Sequence, residues 1–335
     1  MPILLLTIAN EQTPPAALTA VHQQLPAHLT LLHTQDEGTI LDNTSDIEVV
    51  AGWFKNEWLL QMPQLRWVQQ WGAGANWIVK NEILQERPFI LTNVSGVHAV
   101  PISEHIFATL LMFGRNLRHA HEAQKATTWA RHKYPTEAYQ DIPFAFTTDN
   151  LFELAGKTML LIGVGAIGQR TAKLAQAFDM QVIGVRHNPN KPSPHVNQMV
   201  GPQQLLTVLP QADFVVITAP LTPATYHLIG TAELAAMKST ATLVNIGRGP
   251  IIDESALLPA LQNKTIAGAA LDVFEEEPLP PDSPFWALDN LIITSHYAGN
   301  TPRYHERAFA IFLDNLGRYQ RGQPLQNVVD KELGY

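Results

Sequence analysis

The chain has 335 residues, of which 46% are hydrophobic and 16% are charged, with a formal net charge of −8 and no cysteine. This length predicts two domains, because a single hydrophobic core rarely grows so large. The acidic balance argues against a nucleic-acid partner, and the absence of cysteine excludes disulfides, thiolate metal sites and a cysteine nucleophile. Because no apolar run is long enough for a membrane span and no signal-peptide pattern is present, we expect a cytoplasmic protein without a membrane partner and without a metal.

The first hundred residues alternate apolar, strand-like runs with helix-like segments. The opening run 3–8 is almost entirely apolar and fits a buried strand. Alternation of this kind predicts a small parallel α/β unit. We predict strands at 3–8, 29–32, 47–50, 65–70 and 89–91, helices at 14–25 and 57–61, and a long apolar helix at 101–117.

Residues 118–154 have no clear periodicity. The segment is polar, rich in histidine, and carries several aromatic side chains, among them Trp129. A long structureless segment inside a domain is improbable unless something covers it. We therefore predict an arm that packs on a partner subunit, with a surface loop as the alternative.

A second α/β series begins near Gly156 and ends near residue 296. Its strand-like runs alternate with helices, which predicts a doubly wound sheet whose ligand contacts lie at the carboxyl ends of the strands. A last amphipathic helix at 302–319 is expected to return to the first domain. The predicted strands of the second series are 159–162, 181–185, 214–218, 242–246, 266–271 and 291–293.

A glycine cluster, Gly163-x-Gly165-x-x-Gly168, joins a predicted strand to a predicted helix and a second strand. This context is the one that the dinucleotide-binding fingerprint requires. The first glycine allows the tight turn, the second lets a pyrophosphate approach, and the third lets helix and strand pack closely. The pyrophosphate then binds the unpaired N–H groups at the helix start. The cluster predicts dinucleotide binding, and a merely structural turn is the alternative.

The residues after the second strand of this unit indicate which dinucleotide is bound. Sites for NAD usually place a carboxylate there, on the ribose 2′-hydroxyl. This chain has Arg186 and His187 instead. Because a guanidinium pairs bidentately with a phosphate, we predict that NADP(H) is preferred, with NAD(H) possible. In the alternative interpretation Arg186 merely faces water.

Four further features are candidates for chemistry. Arg248 stands between two glycines after a buried strand, and its planar donors suit a carboxylate or a polarised carbonyl. His296 follows the last strand and is a candidate proton donor, although most histidines are structural. Of the three carboxylates at 275–277, at least one should face water. The turn 72–74 is either an anion-binding nest or a plain tight turn.

Together these residues resemble the D-isomer-specific 2-hydroxyacid dehydrogenase family, and the segment 278–286 is similar to its glyoxylate/hydroxypyruvate reductase branch. The resemblance implies two Rossmann-like domains, a doubly wound cofactor domain and a smaller flavodoxin-like substrate domain, with the substrate cleft between them. It also implies a homodimer. The implied substrate domain is 1–101 plus 297–335, and the implied cofactor domain is 102–296, including a dimerisation arm at 118–154. The motifs that carry the resemblance are Gly163 to Gly168, Ala219-Pro-Leu-Thr-Pro-Ala-Thr225, Asn245-Ile-Gly-Arg-Gly249, and Leu271-Asp-Val-Phe-Glu-Glu-Glu-Pro-Leu279 followed by Ser295-His296.

The resemblance also implies a role for individual residues. Arg248, Glu277 and His296 would form a catalytic trio that reduces a small or apolar 2-oxo acid, such as glyoxylate or hydroxypyruvate, to the D-2-hydroxy acid. The implied substrate-binding residues are Trp53, Ala73, Gly74, Ala75 and Arg248. The implied cofactor-binding residues are Gly163, Gly165, Ala166, Ile167, Gly168, Arg186, His187, Ala219, Pro220, Thr225, Ile246, Gly247, Asp272 and His296.

Two alternatives and three departures accompany this resemblance. A formate-type dehydrogenase lacks the acid partner, so Glu277 argues against it, and a nucleotide-sensing module has no need of a general acid. The loop 51–54 is apolar with Lys55 as the only nearby cation, which disfavours a phosphorylated substrate. The departures are Ser295 in place of a proline before the histidine, Gly247 in place of a bulkier residue, and a long segment at 129–154.

Overall fold

The structure is a computed structural model that describes residues 1–129 and 151–334. The chain forms two compact units, one of Met1–His98 with Asn300–Tyr335 and the other of Ala99–Gly299. The first unit contains a five-stranded sheet and the second a seven-stranded sheet, and every strand pair in both is parallel. The predicted α/β fold with two parallel sheets is confirmed.

The sheet of the first unit has the strand order β2-β1-β3-β4-β5, which is the order of flavodoxin-like sheets. Apolar clusters cover both faces, with Leu5 on one side and Leu4 and Leu6 on the other. Burial on both faces explains why the first strand is a continuous apolar run without polar alternation. The strands are β1 (Ile3–Leu6), β2 (Thr30–His33), β3 (Ile47–Gly52), β4 (Trp67–Gln70) and β5 (Ile90–Thr92). The helices between them are α1 (Pro15–Gln24), α2 (Glu37–Asp42), α3 (Asn56–Leu60), α4 (Asn76–Val79) and α5 (Glu82–Glu86).

The second unit has the strand order β12-β11-β10-β9-β6-β7-β8, in which the chain runs outward in both directions from the β6–β9 pair. The boundary between β6 and β9, where the direction of strand addition reverses, is the topological switch point of a doubly wound sheet. Its strands are β6 (Thr158–Ile162), β7 (Gln181–Val185), β8 (Gln198–Val200), β9 (Phe214–Ile217), β10 (Thr242–Asn245), β11 (Gly268–Leu271) and β12 (Leu291–Ile293). Its helices are α6 (Ala99–Gly114), α7 (Leu117–Lys125), α8 (Ala166–Ala177), α9 (Leu205–Val208), α10 (Thr231–Ala236) and α11 (Glu254–Gln262).

The last helix, α12 (Tyr304–Gln320), belongs to the first unit. Its Phe309 and Phe312 pack edge-on against Trp71, with ring centroids 5.0 and 5.7 Å apart. Because Trp71 follows directly after β4, this contact places the C-terminal helix over the end of a central strand. The C-terminal helix therefore completes the hydrophobic core of the first unit.

Two parts of the second unit differ from the prediction. The predicted helix 101–117 ends at Gly114, and a new helix begins after Asn116, whose φ of +51° breaks the helical path. The short strand β8 at the edge of the sheet was not predicted. No helix of the described chain has the length and apolar character that a membrane crossing needs.

Only the ends of the predicted arm 118–154 can be described. Residues 130–150 lie outside the described residues, so the role of the arm in dimerisation stays a prediction. At its start Arg118 donates to the carbonyl oxygens of Leu288, Asp289 and Leu291 at 3.0–3.3 Å. At its end the Phe152 amide donates to the Gly114 carbonyl at 3.1 Å. Both described ends are therefore attached to the second unit itself.

Candidate functional site

The predicted nucleotide-binding and catalytic residues follow six neighbouring strands of the second sheet. Because these strands are parallel, their carboxyl ends lie at one edge, and the residues after them are brought to that edge. The segments concerned are 163–168 after β6, 186–187 after β7, 219–225 after β9, 246–249 after β10, 272–277 after β11 and 294–298 after β12.

The glycine cluster forms a tight turn from β6 into α8. Gly163 has φ of +97°, and a side-chain carbon there would lie 2.7 Å from the Ala219 amide nitrogen. A side-chain carbon on Gly168 would lie 2.3 Å from the Gly163 carbonyl oxygen, whereas one on Gly165 would meet nothing within 4 Å. Close packing of the protein therefore requires glycine at positions 163 and 168. Gly165 borders open space at the N-terminus of α8, beside Ala166 and Ile167.

The loop after β9 is attached to this turn. The Thr218 hydroxyl donates to the Gly163 carbonyl at 2.6 Å, next to the close contact of Ala219. Further along, the Thr225 hydroxyl donates to the Pro220 carbonyl at 2.8 Å and accepts from the Thr222 amide at 2.7 Å. The loop 219–225 is therefore held in one shape beside the glycine turn.

Arg186 stands at the end of β7, where its amide donates to the Val200 carbonyl at 3.1 Å. Its Nη1 atom is buried and has no hydrogen-bond partner in the described chain. A buried guanidinium nitrogen without an acceptor is costly, so its environment suits an anion. His187 follows it and is exposed.

The turn after β10 presents Arg248. The buried Asn245 side chain donates to the Arg248 carbonyl at 2.9 Å and accepts from the Gly247 amide at 3.0 Å, which fixes the turn behind the arginine. A side-chain carbon on Gly249 would lie 1.9 Å from the Phe274 carbonyl, so this turn abuts the segment after β11. The Arg248 residue is exposed, and its Nη1 donates to the Gly247 carbonyl at 2.7 Å.

His296 and Glu277 form a direct pair, with the Nδ1 atom of the ring 2.6 Å from Oε2 of the carboxylate. The other oxygen of Glu277 accepts from the Phe274 amide at 3.0 Å, which orients the carboxylate. With Nδ1 engaged by the acid, the Nε2 atom is the one available for proton exchange with a ligand. The pair therefore has the geometry of an oriented general acid and base.

A buried carboxylate holds the loop that carries His296. Asp272 accepts from the hydroxyl of Thr294 at 2.6 Å and from the amides of Tyr297 and Ala298 at 3.1 and 3.0 Å. The Asp272 carbonyl also accepts from the His296 amide at 2.8 Å. These bonds hold His296 in a left-handed conformation, with φ of +52°, that a non-glycine residue rarely adopts. The predicted contact of Asp272 with a cofactor stays a prediction.

Two electrostatic effects accompany this arrangement. Burial raises the pKa of Glu277, but the hydrogen bonds from His296 and Phe274 and the charges of His296 and Arg248 outweigh it, so the pKa lies below its ordinary value. Glu277 is therefore a carboxylate near neutral pH. On α6, burial lowers the pKa of His105, against the charge of Asp272, and its Nε2 lies 3.3 Å from the Thr294 hydroxyl.

The three consecutive glutamates have different surroundings. Glu275 pairs with Nε2 of His227 at 2.9 Å, and Glu277 pairs with His296. Glu276 is exposed and forms no hydrogen bond or ion pair with any described residue. Of the three, only Glu277 reaches the predicted proton donor.

The predicted substrate residues of the first unit also lie together. The ring of Trp53 would be 3.7 Å from a side-chain carbon on Gly72, so the loop after β3 adjoins the turn 72–75 after β4. Trp53 is half exposed, and Lys55 is paired with Glu37 at 2.7 Å. The loop is apolar at Trp53 and Phe54, and its one cation, Lys55, is paired with a carboxylate.

Sequence reasoning missed the residues that orient the site. Thr218, Asn245 and Thr294 bind backbone or carboxylate groups of the predicted residues, and His105 contacts the hydroxyl of Thr294. Asn245 stands inside a recognised motif and was a possible signal. Nothing in the sequence marks His105, which acts across a separation of 189 residues.

A doubly wound sheet that carries a glycine turn and a histidine–carboxylate pair at one edge is typical of NAD(P)-binding oxidoreductases. Residues 107–298 match the sequence profile described as "D-isomer specific 2-hydroxyacid dehydrogenase, NAD binding domain". The chain belongs to the D-isomer specific 2-hydroxyacid dehydrogenase family, as the motifs had indicated.

Individual relatives are similar over most of the chain. A glyoxylate/hydroxypyruvate reductase B of Yersinia pestis (strain Pestoides F) is 32% identical over 329 residues, which cover 94% of this chain and 95% of that protein. A D-3-phosphoglycerate dehydrogenase of Methanocaldococcus jannaschii is also 32% identical, over 321 residues. That alignment covers 88% of this chain but 57% of the relative, so this chain spans little more than half of that protein's length.

Solved structures show the same architecture. A D-isomer specific 2-hydroxyacid dehydrogenase family protein from Aeromonas salmonicida superposes with a TM-score of 0.79 at 30% identity, covering 98% of this chain and 99% of that one. An NADPH-dependent glyoxylate/hydroxypyruvate reductase from Sinorhizobium meliloti, in complex with NADP and sulfate, gives 0.77 at 25% identity and covers both chains completely.

An added methyl group is expected to affect stability strongly at Gly168, which is closely packed, and weakly at Gly165, which borders open space. Gly168→Ala should lower the free energy of unfolding by about 1–3 kcal/mol despite the better helix propensity of alanine, because the methyl group overlaps the Gly163 carbonyl. Gly165→Ala should change it by no more than about 1 kcal/mol, since the position is open and only the poorer N-cap preference of alanine opposes the change. Chemical denaturation without cofactor measures both, and equal stability of the two variants would contradict the packing argument.

Proposed function

We propose that this protein is an NADP(H)-dependent reductase that converts a small or apolar 2-oxo acid to the D-2-hydroxy acid. The observation that carries the proposal is the 2.6 Å pair of His296 and Glu277 at the same sheet edge as the glycine turn. A nucleotide-binding module without turnover has no use for an oriented proton donor beside its nucleotide site.

In this proposal the residues after the strands divide the chemistry. Protonated His296 donates its Nε2 proton to the alkoxide that forms from the substrate carbonyl. The carboxylate of Glu277 holds the ring through Nδ1 and stabilises the imidazolium. Arg248 supplies a positive charge that polarises the carbonyl and pairs with the carboxylate of the substrate. The bound reduced nicotinamide would supply the hydride.

The residues present fit an NADP(H) molecule. Gly165 leaves open space at the start of α8, where the first-turn amides can bind a pyrophosphate. The strand β7 ends in Arg186, whose Nη1 is buried without a partner in the described chain, and no carboxylate stands there to repel a 2′-phosphate. The loop 219–225 and the turn 246–247 would line the rest of the nucleotide, with Asp272 toward its nicotinamide end.

The first unit supports a small or apolar substrate without a phosphate. Trp53 and Phe54 provide apolar surface, and the only cation of the loop, Lys55, is paired with Glu37. In the proposal Trp53 contacts the substrate's side chain, and the amides of Ala73, Gly74 and Ala75 bind its carboxylate. The names of the glyoxylate/hydroxypyruvate reductase relatives support glyoxylate or hydroxypyruvate as first candidates.

A substrate screen with both coenzymes tests the proposal. Loss of NADPH absorbance would be followed with glyoxylate, hydroxypyruvate, pyruvate and branched 2-oxo acids. We expect turnover with at least one of them and a higher kcat/KM with NADPH than with NADH. Tight NADPH binding without any turnover would favour the nucleotide-sensing alternative.

Removal of the proton donor should abolish most of the reduction. His296→Ala should lower kcat by about 10²–10⁴-fold, which is the usual contribution of a general acid. The far-UV circular dichroism and the NADPH dissociation constant serve as controls for folding and nucleotide binding. A folded variant with a loss below about threefold would remove His296 from this role.

The pH profile should report the Glu277 carboxylate. Reduction needs the protonated ring, so kcat/KM for the 2-oxo acid should fall as pH rises. Glu277→Gln removes the carboxylate that holds the ring and whose own pKa the pairing lowers, so its profile should differ from that of the wild type. Glu276→Gln removes an equal charge from the adjacent, unpaired position and should keep the wild-type profile. If the pH profiles of Glu277→Gln and Glu276→Gln coincide, the proposed role of Glu277 as the partner of His296 is refuted.

Arg186 should determine the choice of coenzyme. Arg186→Ala should lower kcat/KM with NADPH by about 10- to 100-fold, because hydrogen bonds to a charged group are lost. The same variant should keep its efficiency with NADH, which lacks the 2′-phosphate, so NADH is the internal control. Equal losses with the two coenzymes, or a wild-type preference for NADH, would contradict the assignment.

A further inference from the structure

The turn after β4 in the first unit has an unusual division of its peptide groups. Every carbonyl from Trp71 to Ala75 accepts a hydrogen bond within the unit. None of the amides from Gly72 to Ala75 donates to an acceptor in the part of the chain that the structure describes. Among the described residues, the carbonyls of the turn therefore have partners and its amides have none.

Gln70 accounts for two of these carbonyl bonds. Its Nε2 donates to the Gly72 carbonyl at 2.8 Å and to the Gly74 carbonyl at 2.7 Å. Its Oε1 accepts from the indole N–H of Trp77 at 2.7 Å, which fixes which end of the side-chain amide faces the turn. The side chain is buried at the end of β4, so its orientation is set by the strand and by Trp77.

Asn93 accounts for the carbonyl between them. Its Nδ2 donates to the Ala73 carbonyl at 2.8 Å, and its Oδ1 accepts from the Ser95 amide at 2.9 Å. Asn93 is 5% exposed and follows β5, the strand next to β4. Two side chains from adjacent strand ends therefore hold three consecutive carbonyls.

The direction of these carbonyls sets the direction of the amides. A peptide group is planar and trans, so its N–H points opposite to its C=O. Gln70, by holding the carbonyls of residues 72 and 74, fixes the N–H groups of Ala73 and Ala75. Asn93, by holding the carbonyl of residue 73, fixes the N–H of Gly74. The three amides that the two side chains fix are the three proposed to bind the substrate's carboxylate.

The unsatisfied amides indicate a ligand. Ala75 is fully buried, yet its N–H has no acceptor among the described residues. Buried backbone N–H groups without a partner are rare in folded proteins. Successive amides of this kind form a nest that attracts an anion.

We propose that Gln70 and Asn93 are positioning residues for binding of the substrate's carboxylate. They touch neither the reacting atoms nor the nucleotide, and they act through the amides of residues 73–75. The inference rests on the proposed function, since it assigns the anion of that nest to a 2-oxo acid. If Gln70 and Asn93 only stabilised the turn, replacing them would change the stability of the protein but not its KM for the substrate.

The test compares two neutral variants with a matched control. Gln70→Met and Asn93→Ala each remove the donors to the turn without adding charge. Gln85→Met is the control, because Gln85 donates to a single backbone carbonyl, that of Lys331, at 2.9 Å in the same unit. Each variant is assayed for kcat, for KM with the best 2-oxo acid and for the NADPH dissociation constant, and its melting temperature is measured.

We expect each turn variant to raise the KM for the 2-oxo acid about tenfold or more, because oriented donors to a carboxylate are lost. The kcat should stay within about threefold, and NADPH binding should not change. Gln85→Met should keep the wild-type KM. A wild-type KM in both turn variants, or in Asn93→Ala alone if Gln70→Met does not fold, would overturn the inference.

A separate outcome concerns the proposed function. If the wild-type protein reduces no 2-oxo acid, that function fails, and calorimetric titration with oxalate then decides the inference. Oxalate binding by the wild type that is weakened in both turn variants supports the positioning role. Absence of oxalate binding by the wild type, or equal binding by all variants, overturns it.

Discussion

The placement of His296 in the second unit depends on one buried carboxylate. Asp272 is 4% exposed, and its oxygens are taken by three donors that belong to the loop after β12. A buried charge is tolerated only when such bonds replace its hydration. The same bonds hold the loop in the conformation that gives His296 a positive φ and directs its ring to Glu277. The position of the proposed proton donor is thus a consequence of satisfying a neighbouring buried carboxylate.

The two units use related means to organise the loops at the ends of their strands. In the second unit Asp272 and Asn245 bind backbone groups after β12 and β10, and in the first unit Gln70 and Asn93 bind carbonyls after β4. Loops after parallel strands lack the hydrogen bonds of the sheet, and in these loops buried side chains supply part of them. Because these side chains stand on rigid strand ends, the groups that they hold are positioned before any ligand arrives, which lowers the cost of binding.

The parts predictable from sequence were those that depend on local pattern. Both parallel sheets, nearly all strands and the glycine turn follow from continuous apolar runs and from glycines at fixed spacing. The strand β8 has only three residues at a sheet edge and carries no pattern that separates it from a loop. The break at Asn116 was missed because the apolar pattern of α6 continues into Leu117, and only the left-handed backbone ends the helix.

The candidate site was predictable as a set of positions but not as a set of contacts. Residue types alone left three adjacent carboxylates open and the family resemblance pointed to Glu277, but only the structure shows that Glu277 contacts His296 while Glu275 pairs with His227. Such pairs join residues 19 and 48 positions apart through side-chain geometry, which leaves no periodic signal.

The packing around residue 247 explains why this chain departs from the family pattern and has glycine there. A side-chain carbon at this position would lie 2.8 Å from the Ala219 carbonyl, so glycine here permits the loops after β9 and β10 to approach closely. The departure at Ser295 has a different character, since Ser295 is exposed, the ring of His296 is bound by Glu277, and the His296 amide donates to the Asp272 carbonyl. In this chain the loop around the histidine is therefore held by the bonds of Asp272, without a proline to restrict the backbone. The proposed mechanism requires a fixed imidazole, and here Glu277 and Asp272 supply the contacts that fix it.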